Sequence, residues 1–277
     1  MSVGFRAAAV FDAYADRGQG VMHPLDLAAA YLRRCGGAVL AWYAIAMAPL
    51  LVAGWFWIDA ASAEDRGAVR GAGLFVVAAM VWRWAWLVPV QATVMRDTGM
   101  PVRYTAGRIG AAVLSRLASH ILIVWGGLVI FPGFFGFYVG SFVTVALLSA
   151  ERDTAIGAGV QRTLGLTWTN LGGLLRHTWA SLALLLIWAL TLLLTVNLSV
   201  TLVLPSLMGI DTTDLRLAMT GPAWWLGMGM LGWVVFDIYW QVSAVFTVRQ
   251  LEAQRSGGDL FARLDALRAQ AEREESA

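Results

Sequence analysis

Six long apolar stretches recur along this sequence, and they constrain its fold more than any other feature. An α-helix needs about 20 apolar residues to cross roughly 30 Å of hydrocarbon, and each stretch is close to that length. The stretches cover Gly36–Ile58, Gly71–Met95, Ile109–Phe131, Phe134–Ala150, Thr178–Leu204 and Pro222–Val248. Hydrophobic residues make up 59% of the 277 residues and charged residues only 14%, which lies outside the usual range of soluble proteins. The sequence therefore predicts an all-α fold, a polytopic integral membrane helix bundle with six transmembrane helices.

The six spans are predicted to pair into three hairpins. Only Pro132 and Gly133 separate the third span from the fourth, and this pair breaks a helix and forms a tight turn. Each odd-numbered span also follows a short amphipathic or semi-polar segment of the kind that lies in the membrane interface; these segments begin near Pro24, Pro101 and Asp153. We therefore expect a cytoplasmic N-terminal segment with an interfacial helix over residues 1–35, a six-helix transmembrane domain over 36–248 and a cytoplasmic amphipathic tail over 249–277.

The arginines indicate how the spans are oriented, because the cytoplasmic flanks of membrane proteins collect positive charge. The chain has no lysine, and sixteen of its twenty arginines lie on one side of the predicted spans, against three on the other, namely Arg66, Arg70 and Arg216. This bias places both termini in the cytoplasm. The early apolar run Ala7–Val10 is too short for a signal peptide, so no cleavage is expected. The Arg-, Ala- and Gly-rich composition is typical of a high-GC bacterial genome, and the expected location is the bacterial inner (cytoplasmic) membrane.

Arg83 is the remaining arginine, and it lies near the middle of the second span. It is thirteen residues from Arg96, while Asp237 in the sixth span is twelve residues from Arg249. At about 1.5 Å per helical residue, both charges lie roughly 18–20 Å from the cytoplasmic boundary, hence at nearly equal depth. An isolated charge at that depth costs at least roughly 2.5–3.5 kcal/mol. We therefore predict that the second and sixth helices are in contact and that Arg83 pairs with Asp237.

Three tryptophans are expected to surround this pair. Trp86 lies one turn from Arg83, and Trp233 and Trp240 share a face of the sixth span with Asp237. Their rings could shield the charges and add a cation–π contact. Two interpretations of the pair stay open at this point. It is either an ion pair that locks the bundle, or a charge gate or anionic head-group site that exposes Arg83 to a cavity.

Residue patterns that carry catalysis or bind cofactors are not found in the sequence. The run GMGMLG at 227–232 matches the dinucleotide-binding fingerprint, but it lies inside a predicted span and not between a strand and a helix. Its small residues favour close helix packing instead. The three histidines, His23, His120 and His177, lack the spacing of metal ligands. We therefore expect no cofactor, metal or catalytic site, and the net charge of +2 does not indicate a nucleic-acid partner.

Part of the sequence resembles a known family. The run IFPGFFGFYVGSFVTVALLSAERDTAIGAGVQRTLGLTW is similar to the central part of bacterial six-helix proteins grouped with the glycerophosphodiester phosphodiesterase membrane domain. The positions that carry the resemblance are Pro132, Gly133, Glu151, Ala158 and Arg162, with Gly258 and Asp259 near the end. The resemblance implies the membrane part only, without the phosphodiesterase domain. The run WRWAWLVPVQATVMRDTGMP more weakly resembles membrane proteins encoded beside AAA+ ATPases of the MoxR type.

These features together lead to an expected function. The resemblance implies an accessory membrane protein. The tail beyond Gly258 has leucines at helical spacing with charges elsewhere, which is the pattern of a solvated or surface-lying helix or of a helix that docks on a partner. We expect a non-enzymatic inner-membrane scaffold or accessory subunit of an envelope-associated complex, in contact with membrane lipids and with a membrane or cytoplasmic protein bound through the tail. The alternative is a transporter or lipid-handling protein with a polar path between helices, and an intramembrane enzyme ranks third. The candidate cytoplasmic polar positions are Arg116, His120, Glu151 and Arg162.

Overall fold

The computed structural model of this chain describes residues 24–62, 66–126, 141–149, 161, 165, 168–169 and 171–256. All regular structure within these ranges is helical. The principal helices are α1 (Pro24–Ser62), α2 (Arg66–Asp97), α3 (Ala106–Gly126), α4 (Leu171–Leu198), α5 (Leu204–Met208), α6 (Thr213–Ala218) and α7 (Pro222–Ser256). Residues 141–149 are also helical.

The first predicted interfacial segment is the beginning of a long helix. Pro24 starts α1, a position that suits its fixed φ and missing N–H, and Asp26 lies in the first turn, where a carboxylate is favoured by the helix dipole. The helix then continues for 39 residues to Ser62. No break therefore separates the segment before Gly36 from the span that follows it.

α2 ends in a defined turn that leads the chain into α3. Gly99 adopts a left-handed conformation with φ 74°, and the N–H of Met100 donates to the carbonyl of Met95 at 2.8 Å. This arrangement is the Schellman motif that commonly ends a helix at glycine. The Thr105 hydroxyl then accepts from the N–H of Arg108 at 3.3 Å, so that Thr105 caps the first turn of α3.

A π-helical segment, Ser199–Val203, follows α4 and precedes α5. Pro205 explains the irregularity, because it has no N–H to donate to the carbonyl of Thr201 one turn earlier. Arg216 supplies the missing donor, with Nη2 2.6 Å from the Thr201 carbonyl oxygen. The Thr212 hydroxyl similarly donates to the carbonyl of Val200 at 2.9 Å. Side chains near α6 thus satisfy the backbone groups that the altered helical register leaves open.

The core forms where α7 meets the first two helices. α1 packs along α2, and α7 packs against α1, α2 and α4, while α3 packs on α2. Gly54 of α1 allows a close approach to α7, since a Cβ built there would lie 2.4 Å from Cε of Met230. Met230 lies in the GMGMLG run, but the close packing expected through the glycines of this run is not found in the described part of the chain, since a Cβ built at Gly227, Gly229 or Gly232 would meet nothing within 4 Å. The residues with the largest fully buried side chains are Phe142, Leu87, Met95, Leu148, Gln91, Val39, Val88, Val90, Val94 and Val143.

Four of the described helical stretches are long and apolar enough to cross a membrane. They are Pro24–Ala61, Arg66–Asp97, Trp179–Met208 and Trp224–Glu252. Within the described residues, the prediction of an all-helical fold with several helices long and apolar enough to cross a membrane is therefore confirmed, while the count of six spans stays a prediction. The third predicted span is helical over Ala106–Gly126 but is not among these four. The Pro132–Gly133 turn, and the tail after Ser256, lie outside the described residues.

Candidate functional site

Arg83 and Asp237 are in contact inside the bundle. Nη2 of Arg83 is 2.6 Å from Oδ2 of Asp237, and each side chain is only 3% exposed. Arg83 lies in α2 and Asp237 in α7, two helices that pack against each other. The ion pair expected from the equal depth of the two residues is thus present between these helices.

Two neutral side chains also bind the Asp237 carboxylate. The Tyr43 hydroxyl of α1 lies 3.0 Å from Oδ2 and 2.7 Å from the carbonyl oxygen of Val234, so its single proton is shared between two acceptors. Gln241, one turn further along α7, donates from Nε2 to Oδ1 at 3.1 Å. Both carboxylate oxygens therefore have donors, Oδ2 from Arg83 and Tyr43 and Oδ1 from Gln241.

Helix α1 also contacts the cation of the pair. Nε of Arg83 lies 3.2 Å from the sulfur of Met47, which is one turn along α1 from Tyr43. A thioether is a weak acceptor. A cation–π contact of Arg83 is not found in the described part of the chain. The sulfur of Met47 thus lies where the sequence suggested an aromatic ring.

The three tryptophans expected around the pair pack mainly on other aromatic rings. Trp86 stacks on Trp42 of α1, with 5.4 Å between ring centroids. Trp240 is buried and stacks on Phe236 at 6.0 Å, whereas Trp233 is 36% exposed. The tryptophans therefore contribute to the helix contacts near the ion pair more than to its solvation.

Arg116 is a second arginine buried inside the bundle, and its predicted cytoplasmic position stays a prediction. It lies ten residues into α3 and is only 3% exposed. Its Nη2 donates to Oε1 of Gln91 at 2.8 Å, and its Nη1 donates to Oε1 of Gln241 at 3.2 Å. The sequence predicts that Arg116 lies at the flank of the third span, because it follows three other arginines. Its side chain instead turns toward the polar groups of α2 and α7. When Arg116 is left out of the count, most arginines still lie on the same side of the predicted spans.

Gln91 and Ser141 extend these contacts to a fifth helical element. Nε2 of Gln91 lies 3.3 Å from the carbonyl oxygen of Ser141 and 3.5 Å from that of Gln241. The Ser141 hydroxyl lies 3.4 Å from Oε1 of Gln241. We call the connected set the polar cluster; it consists of Tyr43, Arg83, Gln91, Arg116, Ser141, Asp237 and Gln241. It joins α1, α2, α3, α7 and the helical segment 141–149.

The polar cluster contains two guanidinium groups and one carboxylate. Asp237 contacts Arg83 directly, and the amide of Gln241 connects it to Arg116, because this amide donates to the carboxylate and accepts from the guanidinium. Within the described residues, Nε of Arg116 is buried without a hydrogen-bond partner. The cluster therefore holds one positive charge in excess, and an uncompensated buried charge is costly.

His120 is a half-buried residue of α3 that lies beside the polar cluster, and its predicted cytoplasmic position stays a prediction. Its Nδ1 is 2.8 Å from the carbonyl oxygen of Arg116 one turn earlier, a contact that requires the tautomer with a proton on Nδ1. Its ring is 4.9 Å from the ring of Trp84. The other two candidate cytoplasmic positions, Glu151 and Arg162, lie outside the described residues. No group of three or more His, Cys, Asp or Glu residues that could hold a metal ion is found among those described.

Sequence reasoning found the ion pair but missed the polar side chains that surround it. The missed residues are Tyr43, Met47, Gln91, Ser141 and Gln241. A signal was available, because Gln91 is eight residues after Arg83 and Gln241 is four residues after Asp237, spacings that return to nearly the same helix face. Tyr43 and Met47 carry no such signal, since a tyrosine and a methionine are ordinary residues in an apolar helix.

Comparison with known proteins gives no relative for this arrangement. No protein-family model matches the chain, and neither a curated protein nor a solved structure matches it. The resemblance to the glycerophosphodiester phosphodiesterase membrane domain therefore stays a prediction from the residues that carry it.

Proposed function

We propose that this chain is a non-enzymatic scaffold or accessory subunit of an envelope-associated complex in the bacterial inner membrane. The observation that supports this proposal is that many polar groups of the cluster bond to one another or to the backbone. Its carboxylate, both of its amides and three of its six guanidinium nitrogens bond to other members of the cluster or to the backbone. Such an arrangement fixes helix positions and leaves few groups for the chemistry of a substrate.

The orientation required by this function is an N-terminus and a C-terminal tail in the cytoplasm. The tail then presents Leu260, Leu264 and Leu267 to a membrane or cytoplasmic protein. A narrow leucine stripe among charged residues is the pattern by which an amphipathic helix enters a groove of its partner.

The test is affinity purification of the full chain from native membranes in mild detergent, followed by mass spectrometry. Changing the three leucines of the tail to serine should remove stoichiometric partners without reducing the amount of protein in the membrane. The matched control changes Ala262, Ala266 and Ala269 to serine, away from the leucine stripe. Equal recovery of partners with both variants, or the absence of stoichiometric partners from the wild type, would reject the scaffold proposal.

A lipid- or solute-handling protein is the second candidate, and one observation favours it. The excess positive charge at Arg116, with Nε unpartnered among the described residues, is a feature of polar paths that accept anions. In that case the same purification yields a co-purifying lipid or small anion whose amount falls when Arg116 is replaced by glutamine.

A further inference from the structure

A small apolar groove lies between the second half of α2 and the chain that leads into α3. It is lined by Ala85, Trp86, Val88, Pro89, Tyr104 and Ile109 and has a volume of about 210 Å³. These residues belong to the second half of α2, to the connection and to the first turn of α3. The groove is separate from the polar cluster, because none of its lining residues belongs to that cluster.

A cation lies at one end of this groove. Cζ of Arg96 is 5.0 Å from the centre of the Tyr104 ring, and Tyr104 is one of the groove walls. Arg96 is exposed, and no carboxylate within the described residues pairs with it. The adjacent acid, Asp97, instead accepts a hydrogen bond from the Tyr31 hydroxyl at 2.6 Å. The Arg96 charge is thus available to an external anion.

The order of these features along α2 matches the order of parts in a phospholipid. Arg96 lies in the last turn of α2, at the predicted cytoplasmic boundary where phosphate groups are found. The groove residues Ala85 and Pro89 lie seven to eleven residues nearer the membrane centre, which is roughly 10–16 Å along a helix. An apolar slot below a cation suits a molecule with a negative head and a hydrocarbon chain.

The connection between α2 and α3 reinforces the positive charge at this end. Arg103 and Arg108 lie on either side of Tyr104 in the sequence, and Nη1 of Arg103 is buried without a hydrogen-bond partner in the described part of the chain. Basic pockets between transmembrane helices on the cytoplasmic side bind anionic lipid head groups. The net negative charge of an anionic lipid complements the guanidinium groups of Arg96 and Arg103 at this end of the groove.

We propose that the groove binds one acyl chain of an anionic phospholipid and that Arg96 binds its phosphate. The site does not depend on the scaffold function, since a lipid held there serves equally to orient α2 and α3 in the membrane. Arg96 and Tyr104 recognise the head group, and Ala85, Pro89 and Ile109 accommodate the chain.

The experiment is native mass spectrometry of the full chain in detergent, titrated with dioleoyl phosphatidylglycerol or with dioleoyl phosphatidylcholine. We expect one phosphatidylglycerol to bind more tightly than phosphatidylcholine. Arg96→Gln should weaken phosphatidylglycerol binding about fivefold and phosphatidylcholine binding less, because the choline cation already neutralises the phosphate of that lipid. Ala85→Phe, which fills the groove, should weaken binding of both lipids. Arg70→Gln is the matched control, because it removes an exposed arginine from the opposite end of the same helix.

Each of the following results would overturn the proposal. Equal affinity for the two lipids, or equal losses from Arg96→Gln and Arg70→Gln, would mean that Arg96 does not recognise the head group. Retention of tight phosphatidylglycerol binding in Ala85→Phe would mean that the groove does not hold the chain, and Ile109→Trp repeats this measurement if Ala85→Phe fails to fold. Displacement of the lipid by inorganic phosphate at millimolar concentration would mean that the site takes a free anion and not a lipid.

Discussion

At the scale of single residues, the ion pair of Arg83 and Asp237 depends on groups from three helices. Tyr43 and Gln241 donate to the carboxylate, and Met47 contacts the guanidinium. Removing one charged partner leaves the other buried and uncompensated, which is far more costly than removing both. Comparing the stability of the single and double variants therefore shows whether the two charges interact.

We predict that Arg83→Ala and Asp237→Ala each lower the free energy of unfolding by about 3–5 kcal/mol. The double variant should lose less than the sum of the two single losses, because no unpaired charge remains in it. Thermal unfolding in detergent, followed by the fraction of monodisperse protein, measures this. Additive losses would show that the two residues do not interact. Recovery of stability in the double variant without recovery of partner or lipid binding would assign the pair a role beyond holding helices together.

A second residue-scale prediction concerns the amide that connects Asp237 with Arg116. Gln241→Leu removes the donor to the carboxylate and the acceptor for the guanidinium, so that both groups lose a buried partner. We expect a loss of about 2–3 kcal/mol, the cost of leaving buried charged groups with an unmet hydrogen bond. Gln250→Leu, at a half-buried position of the same helix, is the control. Similar losses at both positions would mean that the bridging contact is not important for stability.

At the scale of helical elements, the irregular stretch after α4 depends on two residues far apart in the sequence. Arg216 donates to the carbonyl that Pro205 cannot serve. We predict that Arg216→Leu increases hydrogen exchange of the backbone amides in Ser199–Met208. Adding Pro205→Ala should reverse most of the increase, because alanine restores an N–H that can reach the Thr201 carbonyl. An effect of Arg216→Leu that Pro205→Ala does not reduce would refute this account.

The contact between α1 and α7 gives another prediction for helical elements. Gly54→Leu places a side chain where Met230 now lies, and we expect it to cost about 1–3 kcal/mol, as overpacking does. Gly37→Leu is the control on the same helix, since a Cβ there meets nothing within 4 Å. Unfolding in detergent compares the two variants. Met230→Ala should restore part of the stability of Gly54→Leu, and failure to do so would place the strain elsewhere.

The helices themselves were predictable from sequence, because their apolar length alone requires backbone hydrogen bonds within each segment. The depth of Arg83 and Asp237 was also predictable, since it follows from the rise per residue and the position of flanking arginines. The burial of Arg116 was not predictable, because a helical arginine can extend to water or turn inward, and only the positions of Gln91 and Gln241 decide between these two orientations. The groove beneath Arg96 likewise depends on the turn at Gly99, which brings Tyr104 back to α2.

At the scale of the whole molecule, the number of membrane crossings decides where the functional surfaces lie. Four described helical stretches meet the length and hydropathy needed to cross a membrane. α3 carries Arg108, Arg116 and His120, so its polar face must be covered by protein if it crosses. The polar cluster supplies such cover for Arg116, which agrees with a third span in contact with α2 and α7. Six spans and four spans both leave the termini on one side, so an internal position has to be tested.

The turn between the third and fourth predicted spans distinguishes these arrangements, and the single cysteine of the chain, Cys35, makes the test direct. In a Cys35→Ser background, we predict that Gly133→Cys reacts with a membrane-impermeant maleimide in intact cells, because six spans place this turn on the outer side. Ser62→Cys, after the first span, should react in the same way. Gly258→Cys, in the predicted cytoplasmic tail, should react only after the cells are lysed. If Gly133→Cys is protected until lysis while the two controls behave as expected, the third and fourth apolar stretches do not cross the membrane. The arginines on both sides of them, from Arg96 to Arg176, would then form one continuous cytoplasmic region.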